Sequence, residues 1–317
     1  AGRGPARGGR MRLSIVVVAH ESAGDLPPLL GSIARHLGPA SPQVIVVDAA
    51  SRDGSAEVAA AHGAEVVRLG HNAGFGAAND AGVARARAPV TVLLNPDCEL
   101  VDDSLAVLAG RAAGRDALLV PRLLGGDRAP QRSAHPRPGT PAGVARALLP
   151  VRLLPVPLRE RLEPWRGGRP RRVGWAIAAC VVAQTALLRR LGPFDPRAFL
   201  FYEDLDLCLR AAAAGVPTEL RPEAVVVHHG GRSTARAFGG EAFDLQARRR
   251  REVVGARLGP RALAWDDAAQ ALTFGLRAAV GRERPRNLAR LRALRRARRG
   301  GADGVGSRDR GAGRKGR

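Results

Sequence analysis

Short β-rich apolar runs alternate with helical segments through the first 120 residues, and this alternation constrains the fold more than any other feature. Continuous apolar runs mark strands buried on both faces, whereas apolar side chains at a 3.6-residue spacing mark helices. The predicted strands are 13–19, 44–47, 66–69 and 90–94, and the predicted helices are one over 26–37 capped by Asp25, one starting at 53–55 and one over 75–87. The pattern predicts an α/β fold with a doubly wound, mostly parallel sheet and helices on both faces.

Three acidic or histidine-bearing segments stand where a predicted strand ends or a predicted helix begins. Asn95-Pro96-Asp97 follows one apolar run, Glu203-Asp204 opens a helix over 203–214, and His228-His229 follows another run. Open α/β sheets carry their chemistry at such ends. We therefore expect the three segments to converge on one active site, which makes the chain an enzyme.

For each segment, a purely structural role remains an alternative to a catalytic one. Asn95 and Asp97 alternate at a strand end, so their oxygens suit Mg²⁺ or Mn²⁺ bridging a diphosphate, although a Pro-Asp pair is often only a turn. Glu203 and Asp204 are beside aromatic residues, which favours a general base, although acids also favour a helix start through its dipole. His228 before glycines permits close approach of a metal-bound diphosphate, although one of the two histidines can be merely packed.

The chain is strongly basic, with 51 Lys+Arg against 29 Asp+Glu and a net charge of +22. Half of this excess lies in residues 281–317. An Ala/Arg-rich, Lys-poor composition is typical of a GC-rich genome. A basic segment also attracts polyanions, and charge alone does not separate an anionic membrane surface from a nucleic acid.

Cysteine spacing and hydropathy indicate the compartment. Cys98, Cys180 and Cys208 form no CxxC pair, so we expect neither a zinc cluster nor disulfides, and a reducing cytoplasm. No segment reaches the ~20 apolar residues that span a bilayer. Residues 1–10 lack the apolar core of a signal peptide, so we expect a soluble or peripheral protein.

Several longer motifs together carry a family resemblance. They are SIVVVAHES, VIVVDAASRDGS, GHNAGFGAAND, LLNPD, GPFDPRAFLFYEDLDLCLRAAAAG and VVHHGGRST. Their order and spacing over residues 12–240 resemble the inverting GT-A glycosyltransferases of family two. Within that family, the chain is most similar to actinobacterial rhamnosyltransferases that act on polyprenyl-diphosphate-GlcNAc.

The resemblance implies roles for individual residues. The implied donor-binding residues are Ala19, Glu21, Asp48, Asn79, Asn95 and Asp97. Asp97 and His228 would hold Mg²⁺ or Mn²⁺, with Asn95 in place of the first Asp of the usual DxD pair. Asp204 would be the catalytic base, with Glu203 beside it.

The implied reaction moves a sugar with inversion from a nucleoside-diphosphate donor, dTDP-rhamnose, to a lipid-linked or cell-envelope glycan acceptor. The implied location is cytoplasmic and peripheral, at the inner face of the plasma membrane, where the basic tail meets anionic lipid. No nucleic acid partner is expected, because the arginine-rich tail has no interleaved aromatics.

The motifs also set expected domain boundaries. Residues 1–11 form a disordered extension, and 12–240 form the GT-A domain. That domain divides into a nucleotide-binding half, a Pro/Arg-rich loop and an acceptor half: 12–121, 122–172 and 173–240. The irregular middle stretch predicts a functional lid or mobile loop. Residues 241–299 form basic helices, and 300–317 a disordered basic tail.

Two other functions stay open. Ala49 and Ile177-Ala178 depart from the family pattern, which favours a catalytically impaired GT-A scaffold protein. Gln184-Thr185 also departs from it, which bears on the identity of the acceptor. The net charge alone favours a basic nucleic-acid-binding protein.

Overall fold

The computed structural model describes residues 13–149, 151–192, 194–195, 200–230, 242–281 and 283–303. These residues form two compact units. The described part of the first comprises 13–137 and 155–230, and that of the second 138–154 and 242–303, in both cases with the gaps just given. The predicted extension over 1–11 and most of the predicted tail lie outside the described residues.

The first unit contains a nine-stranded sheet among its described residues, with a small two-stranded sheet beside it. The strands are β1 (Leu13–Ala19), β2 (Gln43–Asp48), β3 (Glu65–Arg68), β4 (Val90–Leu94), β5 (Cys98–Leu100), β6 (Leu118–Leu124), β7 (Ala134–His135), β8 (Arg171–Val173), β9 (Trp175–Ala176), β10 (Cys180–Gln184) and β11 (Thr218–His228). The large sheet has the order β3-β2-β1-β4-β10-β6-β11-β5, and β8 pairs with β11.

The sheet is mostly parallel, as predicted. β1 pairs in parallel with β2 and β4, β2 with β3, and β6 with β11. β10 enters antiparallel between β4 and β6. The carboxyl ends of β1, β2 and β4 therefore share one edge with the amino end of β10 and the carboxyl end of β11.

Helices surround this sheet and the second unit is helical. The helices are α1 (Leu26–Leu37), α2 (Ser55–Ala61), α3 (Gly74–Arg85), α4 (Ser104–Ala112), α5 (Pro141–Leu148), α6 (Val156–Leu162), α7 (Thr185–Leu191), α8 (Glu203–Ala213), α9 (Phe243–Ala279) and α10 (Arg284–Asp303). The predicted leucine stripe of α1 is buried. Asp25, however, makes no side-chain capping hydrogen bond, because its own backbone is already helical.

The two faces of β1 are covered by different helices. Ile15 and Val17 belong to one core cluster with Ile33 of α1. On the opposite face α3 approaches so closely that a Cβ on Gly82 would lie 2.3 Å from Val16 Cγ1. Since successive strand residues point to opposite faces, the predicted arrangement with helices on both faces is present.

The prediction of an irregular stretch over 122–172 is wrong. The structure places α5 and α6 there, together with the end of β6, the short β7 and the start of β8. Pro141 and Pro157 stand in the first turns of α5 and α6, where a missing backbone N–H costs nothing. The prolines thus start helices instead of excluding them.

The predicted strand over 224–227 is also longer, beginning at Thr218. The first half of this strand was missed because it carries charged residues. Glu219 accepts hydrogen bonds from Arg221 at 2.6 Å and from Arg115 at 2.8 Å, so the buried charges are paired. The register shifts between Arg221 and Val225, which absorbs Pro222 in an irregularity of the ladder.

In the second unit, α9 breaks at Gly259 (φ 83°) and Pro260. Across this break Arg250 binds buried Asp266 with two hydrogen bonds of 2.8 Å. Residues 138–154 group with this unit because α5 and the residues before it pack on α9: a Cβ on Gly139 would lie 2.6 Å from Ala262 Cβ. α10 continues to Asp303, and among the described residues no helix has the length and apolar character needed to cross a bilayer.

Candidate active site

The pairing of β5 with β11 brings Asp97 beside His228. Cys98 lies opposite His228 in the antiparallel ladder, and the His229 backbone N–H donates to the Asp97 carbonyl at 3.0 Å. His228 Nε2 consequently lies 3.3 Å from Asp97 Oδ1 and 3.4 Å from Asn95 Nδ2. We call Asn95, Asp97 and His228 the cation pocket.

The Asp97 carboxyl is buried and ionised. Burial by itself raises its pKa, but the hydrogen bond and charge of His228, with the backbone N–H groups of Asp97 and Gly230, hold that pKa below its usual value. A buried carboxylate stabilised in this way is a ready ligand for a divalent cation.

The remaining polar atoms suit a hard cation. Asn95 Oδ1 is buried and has no hydrogen-bond partner among the described residues. Cys98 Sγ lies within 4.8 Å of the Asp97 and His228 ligand atoms, but it donates to the Ala179 carbonyl at 3.4 Å. Burial, with the charges of Cys180 and Asp97, raises the pKa of the Cys98 thiol well above its usual value, so the sulfur stays protonated. The chemistry of the pocket thus fits Mg²⁺ or Mn²⁺ on oxygen and imidazole ligands.

The loops after β1 and β2 interlock at the same sheet edge. The Ala49 N–H donates to the Ala19 carbonyl at 2.8 Å. Glu21 has a positive φ of 52°; its N–H donates to Ser51 Oγ at 3.1 Å, and its Oε1 accepts the Arg52 N–H at 2.8 Å. These hydrogen bonds fix the conformation of the loops that carry the predicted base- and ribose-binding residues.

Asp48 and Asn79 are both buried. The Asp48 carboxylate receives the Ser51 N–H at 3.4 Å, and Asp48 ends β2 at the active-site edge. Asn79 lies inside α3, where its Nδ2 donates to the Phe75 carbonyl at 2.9 Å. The structure thus ties the Asn79 amide to its own helix.

The two predicted catalytic acids occupy the first turn of α8. Glu203 is buried and Asp204 is half-buried, with Asp204 Oδ1 accepting the Leu205 N–H at 2.7 Å. The preceding residues, Phe201 and Tyr202, both have left-handed backbones, with φ of 74° and 63°. Such non-glycine conformations are strained and cluster at functional sites.

One segment supports both α8 and the cation pocket. Cys208 Sγ of α8 donates to the Ala176 carbonyl at 3.8 Å, and the Ala179 carbonyl accepts the Asn95 N–H at 2.9 Å. Three residues of chain span at most about 10 Å. The structure therefore brings Asn95, Asp97 and His228 into contact, and carries Asp204 on a helix fixed to the same support.

Comparison with known proteins identifies the family. The pattern of Glycosyl transferase family 2 matches residues 14–189. The chain belongs to this family. One relative is the N-acetylglucosaminyl-diphospho-decaprenol L-rhamnosyltransferase of Mycobacterium tuberculosis, which is 30% identical over 245 residues, or 71% of this chain and 78% of that protein.

Solved glycosyltransferase structures share the fold. The mannosyltransferase PcManGT from Pyrobaculum calidifontis, in complex with GDP-Man and Mn²⁺, has a TM-score of 0.57 at 16% identity and covers 96% of this chain and 90% of that one. GalNAc-T7 with UDP, GalNAc and Mn²⁺ also has a TM-score of 0.57 at 16% identity and covers 84% of this chain. The present chain spans about half of GalNAc-T7, 51% of its length. These likenesses confirm the predicted GT-A fold.

Sequence reasoning missed two residues of this glycosyltransferase. Gln131 contacts His228 twice, and Asp80 of α3 lies near Phe194, in the segment between α7 and α8, and near Arg210 of α8. Gln131 sits in the stretch assigned to an irregular loop, and Asp80 follows Asn79 with no motif of its own. No sequence signal could have selected either residue, because their contacts are to residues distant along the chain.

Proposed function

We propose that this family 2 glycosyltransferase moves rhamnose with inversion from dTDP-rhamnose to GlcNAc carried on a polyprenyl diphosphate. The name of the mycobacterial relative supports the sugar and the lipid-linked acceptor. The observation that carries the proposal is the meeting of Asn95, Asp97 and His228, which fits a cation, at the edge where β1 and β2 end. A cation held at this edge would stabilise the negative charge of a diphosphate leaving group.

The chain's own residues divide the work. Ala19, Glu21 and Asp48 form the fixed edge that receives the nucleotide. Asp97, His228 and Asn95 would hold Mg²⁺ or Mn²⁺, which when bound offsets the negative charge of the leaving diphosphate. The structures of GalNAc-T7 and the Pyrobaculum enzyme contain Mn²⁺. This supports a divalent cation in the proposed site and does not discriminate between Mg²⁺ and Mn²⁺.

Asp204 provides the base. Its carboxylate accepts the proton of the acceptor hydroxyl as that oxygen bonds to the anomeric carbon and the bond to the diphosphate breaks. Such positioned proton transfer is typically worth about 10²–10⁴ in rate. Glu203 lies beside Asp204 and is buried.

Replacing Asp204 tests the proposal. Asp204→Asn should lower turnover about 10²–10⁴-fold and leave donor affinity unchanged, because the amide cannot accept the proton. The matched control is Asp206→Asn on the same helix turn. Asp206 accepts from Arg210 Nε at 2.7 Å, so its loss should lower stability by about 1–3 kcal/mol and keep most of the turnover.

The same assays discriminate the alternatives. A wild-type protein that neither hydrolyses dTDP-rhamnose nor transfers from it would be the scaffold that Ala49 and Ile177-Ala178 favour. The Gln184-Thr185 departure does not favour a scaffold, since Gln184 pairs with Val90 at the far end of β4 from the active site. Thr185 there bonds Thr91 at 2.7 Å, a structural role. Filter binding tests the nucleic-acid alternative, in which RNA or DNA would be retained.

Exposed apolar and basic residues of the second unit support membrane attachment. Leu148 and Leu153 are 60% and 82% exposed, and Leu149 is also exposed. α10 buries Ala293 and Leu294 against α9, so it presents arginines and not its apolar stripe to solvent. We propose that the apolar side chains enter an anionic leaflet while the arginines contact its headgroups.

Liposome co-sedimentation tests this attachment. Wild type should bind vesicles containing anionic lipid and release them as salt rises. The triple variant Leu148→Ser, Leu149→Ser, Leu153→Ser should bind several-fold more weakly. Val107→Ser is the control, because Val107 is also exposed (52%) but belongs to α4 of the first unit. Equal binding by all three proteins, or binding to neutral vesicles, would contradict the proposal.

A further inference from the structure

Both ends of the Gln131 side-chain amide contact His228. Gln131 Nε2 donates to the His228 carbonyl at 2.5 Å, and Gln131 Oε1 lies 3.0 Å from His228 Nδ1. The Gln131 backbone is itself fixed, since its N–H donates to the Leu123 carbonyl at 2.9 Å and its carbonyl accepts from Ser133 at 2.8 Å. The amide therefore reaches His228 from a rigid turn that follows β6.

These two contacts determine where the imidazole proton resides. A backbone carbonyl only accepts, so the atom facing it must be the NH₂ group of the amide. The other end of the amide is then an oxygen, and it too only accepts. Nδ1 of His228 must consequently carry a hydrogen, and in the neutral ring Nε2 presents a lone pair.

The other ring nitrogen faces the cation pocket. His228 Nε2 lies 3.3 Å from Asp97 Oδ1, the contact through which His228 lowers the pKa of Asp97, and 3.4 Å from the Asn95 side-chain amide. Asn95 Oδ1 is buried in the same pocket. A cation bound there would meet Nε2, because Nδ1 already contacts Gln131.

We propose that Gln131 is a positioning residue that holds His228 as the Nδ1–H tautomer, with Nε2 aimed into the cation pocket. This rests on the cation site of the proposed function. The opposite tautomer would place an N–H in the pocket, and a donor there repels a cation. Outer partners that fix a ligating histidine in this way are worth about 10–100-fold in metal affinity.

The test compares Gln131→Leu with Gln131→Glu in the full chain. Leucine is one atom shorter and removes both hydrogen bonds, whereas glutamate has the same length and keeps an acceptor for Nδ1–H. Mn²⁺ affinity is measured from the electron paramagnetic resonance signal of free Mn²⁺. The His228 tautomer is measured by long-range ¹⁵N–¹H NMR, with the signal assigned from His228→Asn.

Gln131→Leu should weaken Mn²⁺ binding about 10–100-fold and mix the two tautomers. Gln131→Glu should retain the Nδ1–H tautomer and most of the affinity. A leucine variant that keeps the tautomer, or a glutamate variant that loses it as leucine does, would overturn the proposal. If wild type bound no Mn²⁺ while leucine still changed the tautomer, the positioning role would stand and the cation site of the proposed function would fail.

Discussion

The two sides of the active site are built in different ways. The cation pocket is fixed by strand pairing and by the double contact of Gln131, so sheet formation places Asp97 and His228 directly. The acidic side depends on α8, whose first turn follows two left-handed residues, Phe201 and Tyr202. Left-handed backbone costs roughly 1–2 kcal/mol per non-glycine residue. Surrounding packing must offset that cost.

The packing that holds the acidic side is aromatic. The ring centroid of Tyr202 lies 6.2 Å from that of Trp175, and the His135 ring stacks on Trp175 at 4.3 Å. These rings belong to β7, β9 and the turn before α8. The comparison implies that the acidic side should respond to changes in its support, whereas the cation pocket should respond mainly to loss of its own ligands.

The largest expected effect comes from removing a ligand of the cation pocket. Asp97→Ala should weaken Mn²⁺ binding by 100-fold or more, since loss of an outer partner alone costs about 10–100-fold. Cys98→Ala is the matched control at the next residue and should leave the affinity unchanged, because its thiol donates to Ala179. Calorimetric titration with Mn²⁺ measures both. Equal losses in the two variants would mean that the sulfur is a ligand.

A smaller effect is expected from disturbing only the support of α8. A Cβ on Gly174 would lie 2.0 Å from the Arg137 backbone nitrogen, so Gly174→Ala must push β7 and β9 apart. We expect a loss of about 1–3 kcal/mol in the free energy of unfolding, with reduced turnover. Mn²⁺ affinity should stay near that of wild type.

The control for that change is Gly168→Ala, because nothing lies within 4 Å of a Cβ at Gly168. Urea denaturation gives the stabilities, and Mn²⁺ titration gives the affinities. If Gly174→Ala weakened Mn²⁺ binding as strongly as turnover, the two sides of the site would not be built independently.

The smallest effect is a pH dependence at Asp80, which lies near the turn before α8. Burial raises the pKa of the Asp80 carboxyl to about 6, against smaller opposing contributions from the Phe194 N–H and the Arg210 charge. The folded protein therefore binds this proton more tightly than the unfolded chain does. Ionisation of Asp80 should lower stability progressively as pH rises from about 4 to about 6.

Asp80→Asn removes that ionisation. Relative to wild type it should gain about 1 kcal/mol between pH 4 and pH 7, a value discounted because the carboxyl is only half-buried. Urea midpoints at the two pH values measure the difference. A stability difference that stays constant with pH would exclude a raised pKa.

The sequence predicted the parts of the fold that local patterns determine. The β1 bounds, 13–19, and the end of β4 at Leu94 were correct because continuous apolar runs mark buried parallel strands. The start of β11 was missed because Glu219 and Arg221 look exposed until their pairing is known. The helices α5 and α6 were missed because prolines at helix starts resemble prolines in loops.

The candidate site shows the same division. Asn95, Asp97 and His228 could be selected because each ends an apolar run, and their meeting follows from topology. Gln131 could not be selected, since its importance lies in two hydrogen bonds to a residue 97 positions away. The roles of Asp204 and Glu203 stay predictions, which the Asp204→Asn assay tests.

The register of β5 against β11 has a practical consequence. Side chains alternate faces along a strand, so a slip of one residue would turn His228 away from Asp97 altogether. The contact between Asp97 and His228 thus depends on this register. Under the proposed function, Mn²⁺ binding by a variant would report whether these two strands have been paired correctly before any sugar is added.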